Sequence, residues 1–187
     1  RFLAKESVFR VPIVGSIIRS AGQIPVYRET REAIAAVRDA VTAVEAGECV
    51  VVYPEGTISK DPNLWPMVGK TGAARIALAT GRPVIPMAQW GACDVMRPYK
   101  KEFKILPRKT MHVWAGEPVD LSDLADRPLD HETLEIATDR IMQAMTELLE
   151  GIRGEQAPTE RFSPVKARRE ARELAEKPEQ DPSQEDR

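Results

Sequence analysis

No stretch of this chain approaches the ~18 apolar residues that a membrane-crossing helix needs, because Arg10 and Arg19 bracket its most hydrophobic early stretch. The chain as given is therefore not expected to span a bilayer. Excess charge is lacking as well, with a formal net charge of −2 over 187 residues. Bulk electrostatics thus recommends neither nucleic acid nor an anionic surface as partner, and any basic site has to be local. Cysteine is scarce, and Cys49 and Cys93 show no motif spacing. That excludes a disulfide framework and leaves two thiols in apolar, strand-like surroundings, read as buried in a reducing cytosol. The glycine that a Gly-x-x-x-x-Gly-Lys loop requires is missing, since Leu64 holds its place ahead of Gly69-Lys70-Thr71; a nucleoside triphosphate site of that type is excluded. The chain also has neither an initiator methionine nor a signal-like start. Arg1 to Lys5 reads as strand in mid-domain, and a further amino-terminal piece is expected upstream.

What is present centres on Val50-Val51-Val52-Tyr53-Pro54-Glu55-Gly56-Thr57. The β-branched, continuously apolar run from Cys49 to Tyr53 predicts a strand buried on both faces, as in a parallel sheet. Such strands deliver chemistry at their carboxyl ends. There Pro54 and Gly56 force a turn, Glu55 supplies a carboxylate and Thr57 a hydroxyl, although four such residues alone read equally well as a plain strand-to-loop connection. Two other predicted strands end in charge: Phe2 to Ala4 runs into Lys5, and Gln23 to Tyr27 runs into Arg28. Lys5 reads as a solvated lysine or a phosphate contact. Arg28 reads as a salt-bridge partner of Glu29 or Glu32, or as a bidentate phosphate ligand.

Between and beyond these strands the periodicity predicts helices. Val8 to Ala21 reads as one short amphipathic helix whose broad apolar side serves the core or offers residues to acyl chains or a bilayer. Thr30 to Gly47, with Ile34, Val37, Val41 and Val44 on one face, predicts the crossover helix of a β-α-β unit. Ser59 to Val68 is a loop, either a lid or a packed surface segment. Lys70 opens a small-residue helix ending at Gly81, and the free amides of a helix start attract anions. Pro83 to Trp90, Phe103 to Leu106 and Thr110 to Ala115 are expected to complete the sheet. Leu134 to Leu148 predicts a long amphipathic helix closed by Gly151. Residues 153–187 are dense in charge and proline and predict a tail without fixed structure, transiently helical over Arg168 to Lys177, after a domain of residues 1–152.

In order and spacing, Gly22-Gln23-Ile24-Pro25-Val26-Tyr27-Arg28, the Pro54-Glu55-Gly56-Thr57 turn and Pro83-Val84-Ile85-Pro86-Met87 resemble the second, third and fourth blocks of the glycerolipid acyltransferases that esterify lysophosphatidic acid. The resemblance covers roughly Phe2 to Leu149 and is specific as a set. It implies an α/β fold, a mixed sheet flanked by helices. It implies transfer of a fatty acyl group from an acyl thioester, on coenzyme A or acyl carrier protein and with no other cofactor, to a lysophospholipid acceptor, making phosphatidic acid. The place of action would be the cytoplasmic face of the cell membrane, held peripherally or monotopically, with the membrane surface and no nucleic acid as partner.

The base in that family is a histidine held by an aspartate in a His-x-x-x-x-Asp block, which would lie upstream of Arg1. No catalytic residue is therefore expected in the chain as given, which would be inactive by itself. His112 is followed by Glu117 but comes after the glutamate block, and His131 has Ile136 five residues on; neither is read as the base. The residues implied to bind substrate are Lys5, Arg28, Glu55, Gly56, Thr57 and, more weakly, Lys70; no metal is expected. One departure stands out. Relatives follow Glu-Gly-Thr with arginine and serine, whereas Ile58 and Ser59 stand here, so that Lys60 or Lys70 would have to substitute. A different lysolipid acceptor, or a lipid-phosphate-binding module without catalysis, are the alternative readings.

Overall fold

The computed structural model describes residues 1–26, 30–100 and 102–176. The chain begins with β1 (Leu3–Lys5), followed by α1 (Glu6–Phe9), α2 (Val14–Ser20), β2 (Ile24–Val26) and α3 (Thr30–Glu45). After a long irregular stretch come α4 (Gly72–Thr80), β3 (Met87–Trp90), α5 (Ala92–Val95), β4 (His112–Ala115), α6 (His131–Arg153) and α7 (Pro164–Glu176). This is a mixed α/β arrangement, but the single sheet expected from the sequence is two small ones. β1 and β2 pair in parallel, with Leu3 opposite Ile24 and Lys5 opposite Val26, while β3 and β4 pair antiparallel, with Met87 opposite Ala115.

The run at residues 49–53 departs from the buried strand expected there. It forms one parallel bridge, Phe2 to Val51, through Val51 N–H to the Arg1 carbonyl at 2.7 Å and Leu3 N–H to the Val51 carbonyl at 3.3 Å. β1 covers one edge, and among the described residues no strand pairs with the other. The apolar side chains still insert: Val50 and Val52 pack with Ile24, Ala40, Ala43 and Ile76. Cys49, however, is exposed and Cys93 half-buried, so neither thiol is sealed in the core as expected.

Val8 to Ala21 is two helices rather than one. Pro12 has no N–H to extend a ladder, and Ile13 takes a left-handed φ of 65°, so the chain reverses between α1 and α2. Gly15 is required there, because a Cβ would stand 2.0 Å from the Phe9 carbonyl oxygen. The α3 helix matches the predicted span and is followed by Gly47 at φ 84°. Its buried stripe is Ala36, Ala40 and Ala43, small residues that let α3 sit close to its neighbours, while Ile34 points to solvent. Pro83 to Trp90 yields only the four-residue β3, and Phe103 makes just an isolated bridge with Met96. The prolines at 83 and 86 remove two ladder donors.

The α6 helix is the longest element. Asp130 caps it by accepting the Thr133 N–H at 2.9 Å, and it runs through Gly151 to end at Gly154, φ 65°. Gly151 is not a stop but a contact: a Cβ there would meet Trp114 Cζ3 at 2.7 Å. The buried face, Leu134, Ala137 and Ile141, packs with Ala74 of α4 and Leu124. The segment after α6 departs from a tail without fixed structure, at least through residue 176. Val68 N–H donates to the Phe162 carbonyl at 3.1 Å, Arg161 pairs with Asp139, and Pro164–Glu176 is helical. Phe162 and Arg161 supply the anchors that composition alone does not display.

Candidate functional site

Strand direction points the charged ends the same way. Val51 is level with Phe2 and Ile24 with Leu3, all parallel, so Lys5, the turn at Glu55 and the end of β2 all follow these pairings in the same chain direction. Lys5 is exposed there. Arg28, expected as the third member, lies outside the described residues.

The turn is closed by the Gly56 N–H donating to the Tyr53 carbonyl at 3.0 Å. Gly56 takes φ 65°, which favours glycine. Its missing side chain also makes room: a Cβ would stand 3.3 Å from Lys70 Nζ and 3.4 Å from Lys70 Cε. Lys70 thus grips the turn twice, lying along Gly56 and donating its backbone N–H to the buried Pro54's carbonyl at 2.9 Å. Lys70 in turn is placed by Gly69, which touches α6 so closely that a Cβ would meet Met142 Cγ at 2.8 Å and Thr138 Cγ2 at 2.9 Å. Thr57 is exposed beside the turn.

Glu55 is the unusual group. Its Oε2 is buried and has no hydrogen-bond partner. Burial pushes its carboxyl above the ordinary 4.5, the Met67 backbone N–H opposes that by donating to the carboxylate, and the nearby charge of Asp61 adds to the rise. A buried acceptor without a donor is costly, and such a group is a place where an arriving hydroxyl or ammonium finds its partner.

The 59–68 loop is packed rather than a free lid. Asp61 Oδ1 accepts the backbone N–H groups of Asn63 at 2.9 Å and Trp65 at 3.1 Å. Ser59 Oγ donates to the Trp65 carbonyl at 3.0 Å, and Trp65 and Met67 are buried. Arg153 completes it. Its guanidinium lies 3.9 Å from the centroid of Trp65 and 4.4 Å from that of Trp90, and Nη1 donates to the Asn63 carbonyl at 2.9 Å. This clamp had no sequence signal, because its members are separated by tens of residues. It backs the loop whose Met67 and Asp61 set the environment of Glu55.

Other expectations fall elsewhere. His112 is exposed on β4, and His131 Nδ1 lies 3.1 Å from Glu135 at the start of α6; neither joins the Glu55 turn in any hydrogen bond among the described residues. Ile58, where the resemblance implies an arginine, is exposed. Of its possible substitutes, Lys70 adjoins the turn, while Lys60 donates its backbone N–H to Met67 Sδ at 3.2 Å. A cavity of about 350 Å³ lies between β2 and α3, lined by Arg1, Gln23, Asp39, Thr42 and Glu48 among others. None of the predicted site residues lines it. Among the described residues no helix is long and apolar enough to cross a membrane, and no cluster of three or more His, Cys, Asp or Glu could hold a metal ion.

The chain is similar to known acyltransferases. The family model described as Acyltransferase matches residues 1–90. The chloroplastic 1-acyl-sn-glycerol-3-phosphate acyltransferase BAT2 of Brassica napus is 34% identical over 97 residues, 51% of this chain and 28% of the relative. The 1-acyl-sn-glycerol-3-phosphate acyltransferase of Bacillus subtilis is 28% identical over 148 residues, 79% of this chain and 67% of the relative. Among solved structures, the 1-acyl-sn-glycerophosphate acyltransferase PlsC of Thermotoga maritima shares the fold with a TM-score of 0.60 at 24% identity, over 84% of this chain and 58% of that one. The chain spans under a third of the length of the Brassica napus relative.

Proposed function

We propose that the chain belongs to the family of the 1-acyl-sn-glycerol-3-phosphate acyltransferases, to which it is similar, and that it supplies the acceptor grip of an enzyme that acylates lysophosphatidic acid to phosphatidic acid. The observation that carries the reading is the buried, partnerless Oε2 of Glu55, in a turn whose next residue, Gly56, lies against Lys70. The two side chains suit the two ends of a lysophosphatidic acid head. A glycerol hydroxyl donates to the carboxylate, and the ammonium faces the phosphate. Lys5 adds further positive charge at the end of β1. A phosphate on Glu55 itself would be repelled, which sets the polarity of the bound head.

The reaction needs a base for the hydroxyl and a thioester as acyl source. The acceptor oxygen attacks the thioester carbonyl as the base takes its proton; the tetrahedral intermediate then expels the thiolate, which is reprotonated. The base in this proposal is the histidine of a His-x-x-x-x-Asp block encoded upstream of Arg1. The thioester, on coenzyme A or acyl carrier protein, is itself the activated donor, so no further cofactor is required. The proposed place of action is the cytoplasmic membrane surface, where both lipids reside.

The test is acyl transfer to lysophosphatidic acid, comparing the chain as given with one extended through its native amino-terminal sequence. Activity in the extended form only, and its severe loss in Glu55→Ala, is the expected pattern. Full activity in Glu55→Ala would remove the site. Because Ile58 replaces a cationic residue and is exposed, a lysophospholipid with a larger headgroup belongs in the same assay. A preference for it would replace lysophosphatidic acid as acceptor.

A further inference from the structure

Residues 96–111 carry six basic residues and one acid, Glu102, in a chain whose net charge is −2. Glu102 pairs with Lys104 at 3.3 Å, whereas Arg97, Lys100 and Arg108 are exposed and form no ion pair among the described residues. Large apolar side chains are interleaved with these cations and are no better covered: Tyr99 is 68% exposed, Phe103 64% and Leu106 82%. Solvation explains the cations alone and not their apolar neighbours. Interleaved basic and large apolar side chains are what the headgroup and acyl boundary of an anionic bilayer accept, cations at the phosphates and apolar groups beneath them.

The segment is not a loose strand of chain. Met96 bridges Phe103 antiparallel, and Lys104 N–H donates to the Val95 carbonyl at 2.7 Å. Its position matters as much as its chemistry. Tyr99 Oη donates to the Ile58 carbonyl at 3.2 Å, directly after the Glu55-Gly56-Thr57 turn. The other exposed apolar face, on α1 and α2, offers less charge to lipid: Arg10 pairs with Glu6, and Arg19 donates to the Phe9 carbonyl at 2.5 Å.

We propose that the described residues of this segment, 96–100 and 102–111, seat on an anionic lipid bilayer and hold the Glu55 turn at the interface. The lipid contact stands on the segment's own chemistry; that it feeds acceptor to Glu55 rests on the function proposed above.

The experiment is co-sedimentation of the full protein with vesicles of phosphatidylcholine alone or with about a third phosphatidylglycerol, at low and high salt. Expected are binding to the anionic vesicles only, weakened by salt. The Arg97→Glu/Lys100→Glu/Arg108→Glu variant should bind about a hundredfold more weakly, from roughly fivefold per cation removed. Phe103→Ser/Leu106→Ser should also lose at least about tenfold. All these positions are exposed, and circular dichroism checks that each variant folds. Binding that ignores lipid charge, or variants that bind like the parent, would overturn the proposal. So would loss confined to Ile13→Ser/Ile17→Ser, which would move the contact to α2. Loss of transfer from acyl carrier protein with vesicle binding intact would give the patch to an acidic protein and also overturn it. Segment-dependent vesicle binding in a protein without acyl transfer would uphold the membrane contact while removing the catalytic reading, so the two fail separately.

Discussion

Glu55 carries a conflict between stability and use. Its folded carboxyl holds a proton more tightly than the ordinary 4.5. Between that value and the raised one, the folded chain keeps a proton that the unfolded chain has released, so stability falls as pH rises through the window and stays low above it. Glu55→Gln keeps an acceptor for the Met67 N–H and removes the buried charge. The variant should be at least as stable as the parent at pH 7, by about 1 kcal/mol, and the pH-dependent part of the difference should vanish below 4.5 in urea melts followed across pH. Acyl transfer by the same variant in the extended protein should drop about ten- to a hundredfold, the scale of a lost charge-assisted hydrogen bond. A less stable Glu55→Gln at neutral pH would show that the carboxylate is better satisfied than its geometry indicates.

At the scale of elements, the turn is held from behind. Gly69 lets the segment carrying Lys70 touch α6, and Gly69→Ala would drive a Cβ into Met142 and Thr138. A cost of about 1–3 kcal/mol is expected, read as a lower urea midpoint with unchanged slope. The acceptor Michaelis constant in the extended protein should rise as Lys70 moves. The Trp65-Arg153-Trp90 stack makes a separate prediction. Arg153→Ala should cost about 2 kcal/mol through lost stacking on two rings and the lost bond to Asn63. Arg153→Lys should recover little of it, since an ammonium lacks the flat guanidinium face. Tryptophan fluorescence would report the opening of the stack directly.

For the whole molecule, α4 is the hinge pin between two cores. Its Ala74 packs with Leu134, Ala137 and Ile141, and its Ile76 with Ile24, Ala40 and Ala43. Neither two-stranded sheet is large enough to stand alone, so the halves are expected to unfold together. Ala74→Leu, at a position with no exposed surface, should destabilise both halves by about 1–3 kcal/mol. Fluorescence from Trp65, Trp90 and Trp114, which lie in or beside the α6 half, and far-ultraviolet dichroism, which follows α3 as well, should shift to the same new midpoint. Two separate transitions would show that the cores are independent.

Much of this architecture is legible in the sequence because it rests on local physics. The 3.6-residue pattern and Gly47 predict α3, the pattern of Leu134 to Leu148 predicts the core of α6, and Pro54 with Gly56 predicts the turn that carries Glu55. The resemblance of the three blocks to the glycerolipid acyltransferases is legible for the same reason, since each is a short contiguous string. What tertiary structure decided is everything that depends on distant partners. Whether residues 49–53 form a full strand depends on a second neighbour, and none is paired with it among the described residues. Whether Gly151 ends α6 depends on Trp114, and whether the segment after α6 is tethered depends on Phe162 meeting Val68. The burial that leaves Glu55 Oε2 without a donor, and the contact that lays Lys70 along Gly56, likewise arise only when residues remote in the chain close on one another. Propensity and periodicity act over a few residues, whereas burial and pairing are set by the whole fold.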